Sequence, residues 1–413
     1  MKDKKTYPLD NSAIIHLVAR KSRHSNSFRL TVSLRDLVSP VILQEAVNRI
    51  TPRFPCVIAG ICPGPFQYSL VPVRQPPKVE YDAVCLAPMS RTDIRTCAVR
   101  FLYREDQISA EFFHSLTDGY GGMVVLNTLV AAYLKIRYRC AIPTSAMTLA
   151  LDTQPVSTEL MDDYLTYAKG RSRRPSGGEA YQLPGQAEED GIPWVTERFY
   201  SADQVTTAAH RYGVSVTVLL SAVMAASVRQ IQNSYGKSGQ NIQIMVPINL
   251  RKLFDSCTLR NFALFALLRV RQTEASGSFA QLTRLCQTQL QAQNTVEYMA
   301  SVMAGNKSAA AFPLFRALPL PLKKLVLNLA YSIYGERTSC ISLSNLGVVT
   351  LPEEMREYVN GIEFLLTPRI KSPYNRGVVT YDGILSIHFT RLSREPELET
   401  VFFSKLEQIL KSR

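Results

Sequence analysis

The stretch HSLTDG, residues 114–119, decides how the fold of this sequence is interpreted. It follows Gln107–Phe113, which forms a predicted hairpin with Cys97–Tyr103, and it precedes a run of apolar residues at helical spacing. His114 therefore lies where a strand ends and a loop enters a helix. The glycines that follow Asp118 let the backbone turn tightly, so the side chain of His114 can face a cleft.

An imidazole in this setting suits the general base of an acyl transfer, because it titrates near neutral pH. The base takes the proton of the attacking acceptor, and a hydrogen-bond donor must then stabilise the charge on the oxygen of the tetrahedral intermediate. A His four residues before an Asp-Gly pair arises by chance in such a chain with a probability of roughly 1%. The competing interpretation of His114 is a buried histidine with satisfied hydrogen bonds. Asp118 is expected to be structural, as a helix N-cap or an ion-pair partner.

Length and charge limit the classes of function. A chain of 413 residues suits two domains of roughly 200 residues each. Lys and Arg outnumber Asp and Glu by 47 to 34, giving a net charge of +13, which favours an anionic partner such as acyl-coenzyme A or an acidic carrier protein. The sequence has no zinc-ligand spacing, no aromatic RNA-binding signature and no basic helical arm. Neither a metal site nor a nucleic-acid partner is therefore expected.

Nothing in the sequence predicts export or membrane insertion. The charged residues Met1–Lys5 lead into a polar stretch and not into the apolar core of a signal peptide. No apolar run reaches the ~18 residues that a membrane span needs. The eight cysteines are dispersed without a Cys-x-x-Cys pair, which is typical of reduced thiols. We therefore expect a cytoplasmic protein without stable membrane insertion.

The clearest break in the sequence lies at residues 171–193, where Gly, Pro and charged residues are dense and apolar periodicity is lost. This pattern predicts an N-terminal lobe at 1–170, a linker at 171–193 and a C-terminal lobe at 194–413. Strand and helix patterns are mixed in both lobes, with several hairpins. The prediction is an α+β fold with mixed α/β layers and not a parallel Rossmann sheet.

The HSLTDG stretch also resembles the H-x-x-x-D-G motif of the chloramphenicol acetyltransferase-like superfamily. That superfamily includes the peptide-synthetase condensation domains, the plant BAHD acyltransferases and the bacterial alcohol acetyltransferase-like proteins. Further segments resemble the alcohol acetyltransferase-like subgroup in particular, at residues 20–30, 48–55, 247–254, 260–262 and 342–347. Together these segments are more specific than the six-residue motif.

The resemblance implies two similar lobes, each a sheet with flanking helices, with a tunnel between them. His114 is expected midway along the tunnel, with the acyl thioester entering from one face and the acceptor from the other. The Asp of the motif, Asp118, is followed by Gly119 and is expected to turn away from the tunnel and pair with an Arg. The candidates for this partner are Arg53, Arg251 and Arg260. Relatives with two lobes often act as monomers, and a monomer is the expectation here.

Two further sets of residues follow from the resemblance. Ser344 and Asn345 fall at a strand end where similar enzymes place a polar group near the developing oxyanion or the substrate. The alternative for this pair is a turn, because Asn-x-Gly after a strand is ordinary turn chemistry. Asn249, Arg251 and Arg260 are expected to be structural residues that bridge the lobes.

The expected reaction moves an acyl group from an acyl-thioester to a hydroxyl acceptor, with acyl-coenzyme A as the expected donor and no bound cofactor. Condensation domains typically carry a second His directly before the catalytic one, where this sequence has Phe113. The D-F-G-W-G element of the plant enzymes is absent, and the only tryptophan is Trp194. Two alternatives stay open: amide formation on an amine acceptor from a carrier-bound acyl-phosphopantetheine, and a non-catalytic relative that binds an acyl compound or a carrier.

Overall fold

The computed structural model describes residues 6–10, 13–20, 26–173, 178–185, 191–237, 239–271, 274, 277–311, 315, 317–334, 337–369 and 372–412, with the backbone alone at 18–19, 308–311 and 330–334. Of the predicted linker at 171–193, residues 174–177 and 186–190 lie outside the described residues. The segment at 20–30 that resembles relatives is likewise described only at residues 20 and 26–30.

The N-terminal lobe is built from short strands and helices that alternate irregularly. In chain order they are β1 (Tyr7–Pro8), α1 (Ile14–Ala19), β2 (Ser27–Leu34), α2 (Pro40–Ile50), β3 (Ala59–Pro63), β4 (Tyr68–Pro72), β5 (Val79–Tyr81), α3 (Arg91–Thr96), β6 (Val99–Arg104), β7 (Gln107–Phe113), α4 (Gly119–Tyr138), α5 (Ser157–Leu160) and α6 (Asp163–Tyr167).

The second half of the chain has longer helices. Its elements are β8 (Trp194–Ser201), α7 (Ala202–Arg211), α8 (Val216–Ser234), β9 (Ile242–Asn249), α9 (Arg251–Phe254), β10 (Ala263–Val270), α10 (Phe279–Gln293), α11 (Val296–Ala311), α12 (Leu320–Tyr334), β11 (Ile341–Val348), α13 (Glu353–Arg356), β12 (Val359–Leu366), β13 (Tyr374–Tyr381), β14 (Ile384–Arg391) and α14 (Glu397–Lys411).

Local sequence signals set several of these boundaries. Pro40 opens α2, where its missing N–H loses no helical hydrogen bond. Ser90 and Asp93 form a capping box at the start of α3. The predicted hairpin of β6 and β7 is confirmed, and its turn is made by Glu105 at a positive φ of 50°.

The N-terminal sheet has the strand order β12-β2-β7-β6-β5. Phe28 and Leu30 of its strand β2 are fully buried against α4. The contact is close, because a Cβ atom at Gly122 of α4 would lie 2.8 Å from the Phe28 ring. Helix α2 packs against α4 in turn. The sheet and these two helices therefore form the core of the N-terminal lobe.

A buried ionic network around Arg29 of β2 lies within the same sheet. The Arg29 guanidinium donates to Asp82 at 3.0 Å, to Glu111 at 3.3 Å and to Ser109 Oγ at 2.8 Å. Arg100 forms a further ion pair with Glu111 at 3.0 Å. These pairs offset the cost of removing the charges from water.

The C-terminal sheet has the strand order β10-β9-β11-β13-β14-β8. Strands β9, β11 and β13 are parallel neighbours, whereas the pairs on either side of them are antiparallel. Helices α8, α10 and α14 pack with this sheet in a second hydrophobic core. The mixture of parallel and antiparallel pairs confirms the predicted α+β class with mixed layers.

Strand β12 comes from the second half of the chain but completes the N-terminal sheet. It pairs antiparallel with β2, and Ile362 lies opposite Val32. It also packs across β13 so closely that a Cβ atom at Gly377 would lie 2.1 Å from the Phe364 carbonyl oxygen. Strand β12 therefore ties the two lobes together.

Part of the predicted linker is packed rather than exposed. Tyr181 is fully buried in the core of the C-terminal lobe together with Ala180 and Leu183. The N–H of Tyr181 donates to the Asn241 carbonyl oxygen at 2.8 Å. The chain is thus attached to the C-terminal lobe before β8 begins.

Helix α4 is the one described helix whose length and composition would let it cross a membrane. The window that passes this test is 78% buried inside the protein, so the core position of α4 accounts for its apolar character. Helices α7 and α8 pass the same test only when they are taken together, and they are bent by 77°. All eight cysteines are free thiols.

Candidate active site

His114 lies directly after β7, where the two lobes meet. Its main-chain N–H donates to the Asn26 carbonyl oxygen at 2.9 Å, and its own carbonyl accepts from the Asn261 side-chain amide at 2.8 Å. Asn26 belongs to the N-terminal lobe and Asn261 to the C-terminal lobe. The backbone at His114 is therefore held from both sides.

Aromatic rings surround the imidazole of His114. It stacks on the His16 ring with 4.2 Å between centroids and 2° between planes, and it meets the Phe28 ring at 5.0 Å. Burial lowers the pKa of His114 below its usual value of 6.5, and the negative charge of Asp118 opposes part of that shift. Its Nδ1 atom is shielded from solvent. Because its pKa lies below 6.5, the ring is neutral at pH 7. Because Nδ1 is shielded, Nε2 is the nitrogen that is left to face a reactant.

The Asp118 carboxylate is taken up by structural hydrogen bonds. As the N-cap of α4 it accepts from the Gly121 N–H at 3.1 Å through Oδ1. Its Oδ2 accepts from the Phe262 N–H at 2.7 Å and from Arg251 Nη1 at 2.8 Å. Asp118 therefore anchors the start of α4 to the C-terminal lobe.

Arg251 is the partner of Asp118, and both side chains are almost fully buried. Arg251 Nε donates to the Thr258 carbonyl at 2.7 Å, and Nη2 donates to the Arg260 carbonyl at 2.7 Å. Its Nη1 also donates to Asn249 Oδ1 at 3.1 Å. The guanidinium is fixed by its own lobe while it pairs with a carboxylate of the other.

The two other candidate arginines have partners of their own. Arg53 forms a bidentate pair with Glu159, at 2.6 and 2.7 Å, inside the first half of the chain. Arg260 pairs with the buried Asp10 and donates to the Leu160 carbonyl at 3.2 Å. Arg251 and Arg260 thus both bridge the lobes, whereas Asn249 contributes by orienting Arg251.

A cavity of about 2150 Å³ lies between the lobes beside His114. The N-terminal lobe contributes His16, Phe28 and His114 to its wall, and the C-terminal lobe contributes Ser344 and Asn345. The structure therefore brings His114 together with both residues of the predicted pair on β11. Apolar walls with a few hydrogen-bonding groups from two lobes are typical of a site that binds a small molecule.

Comparison with known proteins finds relatives by structure alone. No protein-family model and no curated protein matches the sequence. Polyketide synthase associated protein 5 from Mycobacterium tuberculosis is 16% identical with a TM-score of 0.64, and the match covers 98% of this chain and 97% of that one. A mutant starter condensation domain of rhizomide synthetase in complex with C8-CoA and Leu-SNAC is 12% identical with a TM-score of 0.65, over 98% of this chain and 95% of that one. Trichothecene 15-O-acetyltransferase from Fusarium sporotrichioides is 10% identical with a TM-score of 0.62, over 98% and 94%.

The chain has the chloramphenicol acetyltransferase-like fold. This confirms the fold that the H-x-x-x-D-G motif predicted, with two lobes and a cavity between them. The match extends over nearly the whole length of the similar chains. Membership of the alcohol acetyltransferase-like subgroup stays a prediction.

In this chloramphenicol acetyltransferase-like fold, the Asn345 side chain is held by helix α8 and by its own turn. Its Nδ2 donates to Thr217 Oγ1 at 3.1 Å, and its Oδ1 accepts from the Gly347 N–H at 2.8 Å. Gly347 has a positive φ of 78°, as Asn-x-Gly turn chemistry requires. The neighbouring Ser344 is 9% exposed and lines the cavity.

Gly119 packs closely against the C-terminal lobe. A Cβ atom there would lie 2.6 Å from the Leu346 side chain of β11. The glycine of the motif therefore lets the start of α4 approach the strand that carries Ser344.

Sequence reasoning missed His16. It lies on α1, and its Nδ1 is 2.8 Å from the Asn26 side-chain amide. Burial and the neighbouring His114 lower the pKa of His16 well below 6.5, so this ring is also neutral at pH 7. The two histidines lie far apart in the sequence, and no local pattern links them; only the fold places α1 over the end of β7.

Proposed function

We propose that this protein transfers an acyl group from acyl-coenzyme A to a hydroxyl acceptor, with His114 as the general base. The observation that carries the proposal is the neutral, partly buried His114 imidazole beside the cavity between two lobes. A similar chain is bound to C8-CoA, and another is named an O-acetyltransferase. Both facts support acyl transfer here.

In the proposed reaction, His114 Nε2 takes the proton of the acceptor hydroxyl as its oxygen attacks the thioester carbonyl carbon. The carbonyl π electrons move to the oxygen and form a tetrahedral intermediate. As the carbonyl re-forms, the C–S bond breaks, and the thiolate leaves with the proton that the imidazolium returns. The ester and free coenzyme A are the products.

The Ser344 hydroxyl is the proposed donor to the oxyanion. It lines the same cavity as His114 from the opposite lobe. The Asn345 amide is already committed to Thr217, which makes Asn345 a support for the strand end rather than the first donor. A donor that meets the developing charge lowers the barrier more than one that binds the ground state.

A second cavity, lined by several basic side chains, favours coenzyme A as the donor. It measures about 1180 Å³ and shares Lys252 and Asp255 with the large cavity. Its lining includes Lys169, Arg171 and Arg173, and the Arg173 guanidinium lies 5.0 Å over the Tyr298 ring. Cationic side chains beside an aromatic ring suit the phosphates and the adenine of a nucleotide.

The test is the release of free thiol from acyl-coenzyme A by the purified protein with alcohols of increasing chain length. His114→Ala is expected to reduce turnover by about 10²–10⁴-fold, because it removes the base. His210→Ala is the matched control, since His210 is exposed on α7. Unchanged turnover in His114→Ala would overturn the assignment.

Amine acceptors and carrier-bound thioesters belong in the same assay. Amide formation in place of ester formation would favour the condensation-type reaction. No thiol release from any donor, with acyl-coenzyme A still bound, would indicate a binding protein instead.

A further inference from the structure

Three side chains with metal-ligand chemistry meet where strand β12 of the N-terminal sheet contacts the edge of the C-terminal sheet. They are Glu197 of β8, Glu363 of β12 and His388 of β14. One ligand atom from each lies within 4.8 Å of the other two. His388 Nε2 is 3.8 Å from a Glu197 carboxylate oxygen, because the two residues are paired across β8 and β14.

The imidazole of His388 has no hydrogen-bonding partner among the residues that the structure describes. Its side chain is 0% exposed, and within the described part of the chain neither ring nitrogen has a hydrogen bond. The ring that it does contact, that of Phe199 at 6.3 Å, offers no acceptor. Burying two polar nitrogens without partners costs free energy, and native proteins satisfy such atoms with a protein group, a water molecule or a ligand.

The two carboxylates are placed to contact the same bound ion as this ring. Glu363 is half-buried, and it is oriented by the Gln107 side-chain amide, which donates to its Oε1 at 3.2 Å. Glu197 is 50% exposed, so an ion can reach the cluster from solvent. Two carboxylates beside an imidazole repel each other when both are charged, and either a proton or a cation between them relieves this repulsion.

We propose that Glu197, Glu363 and His388 bind a divalent transition-metal ion of the Zn²⁺ class. One imidazole nitrogen and two carboxylate oxygens are a ligand set for Zn²⁺, with a water molecule as the fourth ligand. Mg²⁺ and Ca²⁺ prefer oxygen ligands alone, so the imidazole disfavours them. Zn–ligand bonds of about 2.0–2.2 Å require the side chains to close by about 1 Å, within the reach of rotamer changes.

The ion would stabilise the folded structure and would take no part in acyl transfer. None of the three ligands lines the cavity beside His114. Two of the ligands belong to the C-terminal sheet, and Glu363 belongs to the strand that completes the N-terminal sheet. The metal would therefore hold the two lobes together, and its presence does not depend on the proposed reaction.

The test uses the full chain, freed of metal with a chelator and titrated with Zn²⁺ alone. Calorimetry is expected to show one equivalent bound at this site, and at a hundredfold excess over the dissociation constant the unfolding temperature is expected to rise by about 3 °C. Glu197→Gln and His388→Ala are expected to lose this equivalent and the rise. Glu80→Gln, which changes an exposed carboxylate on β5, is the matched control and should keep both.

His388→Ala also opens a space in the protein and can destabilise it by itself. Glu197→Gln avoids that problem because Glu197 is half-exposed. Zn²⁺ held by free cysteines or by other histidines would give the same signal in every variant. The proposal is wrong if wild type shows no Zn²⁺-dependent rise, or if Glu197→Gln and wild type bind Zn²⁺ alike.

Discussion

The surroundings of His114 keep its imidazole unprotonated near neutral pH. Burial keeps the pKa of His114 below 6.5, so the imidazole stays unprotonated as the solution becomes mildly acidic. We therefore expect kcat/KM to be constant through pH 7 and to fall only below pH 6.5, as the base becomes protonated. A profile of kcat/KM from pH 5 to 8.5 measures this. An acidic limb centred at or above pH 7 would contradict it.

His16 is expected to act as a positioning residue, because its ring helps to bury His114 and so to lower the pKa of His114. Replacing it with alanine removes the ring that stacks on His114 and admits water, so the pKa of His114 should rise toward 6.5. The acidic limb of kcat/KM should then move to higher pH. His16→Phe keeps a flat ring and should leave the limb near its wild-type position. Equal limbs in His16→Ala and wild type would show that the stack has no such effect.

Asp118 and Arg251 form a buried ion pair, and removal of either residue leaves the charge of the other without this partner. Arg251→Met strands the Asp118 carboxylate and is expected to destabilise the protein by about 3–5 kcal/mol. Urea unfolding followed by circular dichroism measures the loss. Arg49→Met breaks an exposed pair with Glu45 and should cost about 1 kcal/mol or less.

A double variant separates charge from packing in this pair. Asp118→Asn combined with Arg251→Met removes both charges, so it should be more stable than Arg251→Met alone. Equal or lower stability of the double variant would mean that the carboxylate is not stranded in the single one.

Strand β12 shows, at the scale of elements, what the sequence could and could not predict. The β6–β7 hairpin and the helix that follows the HSLTDG stretch are predicted correctly, because their periods and turn residues are local signals. The pairing of β12 with β2 is different. An alternating strand fits the edge of either sheet, and its partner is chosen by contacts more than 300 residues apart.

The substitution Gly377→Ala tests how closely β12 packs against β13. A methyl group there would meet the Phe364 carbonyl oxygen at 2.1 Å, so Gly377→Ala should push the two strands apart and cost about 1–3 kcal/mol or more. Gly361→Ala is the matched control, because a Cβ atom at that position of β12 meets open space. Chemical unfolding of both variants measures the difference. Similar stabilities would show that the crossing is loose.

The candidate site was only partly predictable for the same reason. His114, Asp118 and the pair at 344–345 were found because they stand in short motifs. The sequence left three arginines open as the partner of Asp118, and the structure selects Arg251 because its other hydrogen bonds fix it at the start of α4. His16 carries no motif at all, so only the folded chain shows it beside His114.

At the scale of the whole molecule, the two cavities predict that the nucleotide part of coenzyme A and the rest of the donor bind to different groups of residues. If Arg173 and Lys252 hold the phosphates of coenzyme A, Arg173→Ala should raise KM for acyl-coenzyme A by about tenfold with little change in kcat. The same variant should use acyl-pantetheine as well as wild type does, because that donor has no nucleotide. Thiol-release kinetics with both donors test this. An equal rise in KM for the two donors would place the nucleotide elsewhere.

The origin of β12 also has a consequence for biosynthesis. The edge of β2 is open until residues 359–366 leave the ribosome, about 330 residues after β2 itself. At about 5–20 residues per second, this interval is roughly 20–60 s. Throughout that time the emerging chain presents an unpaired strand beside a partly assembled core, a state that favours aggregation or capture by a chaperone. The first lobe to be synthesised is therefore completed only when the second is nearly finished.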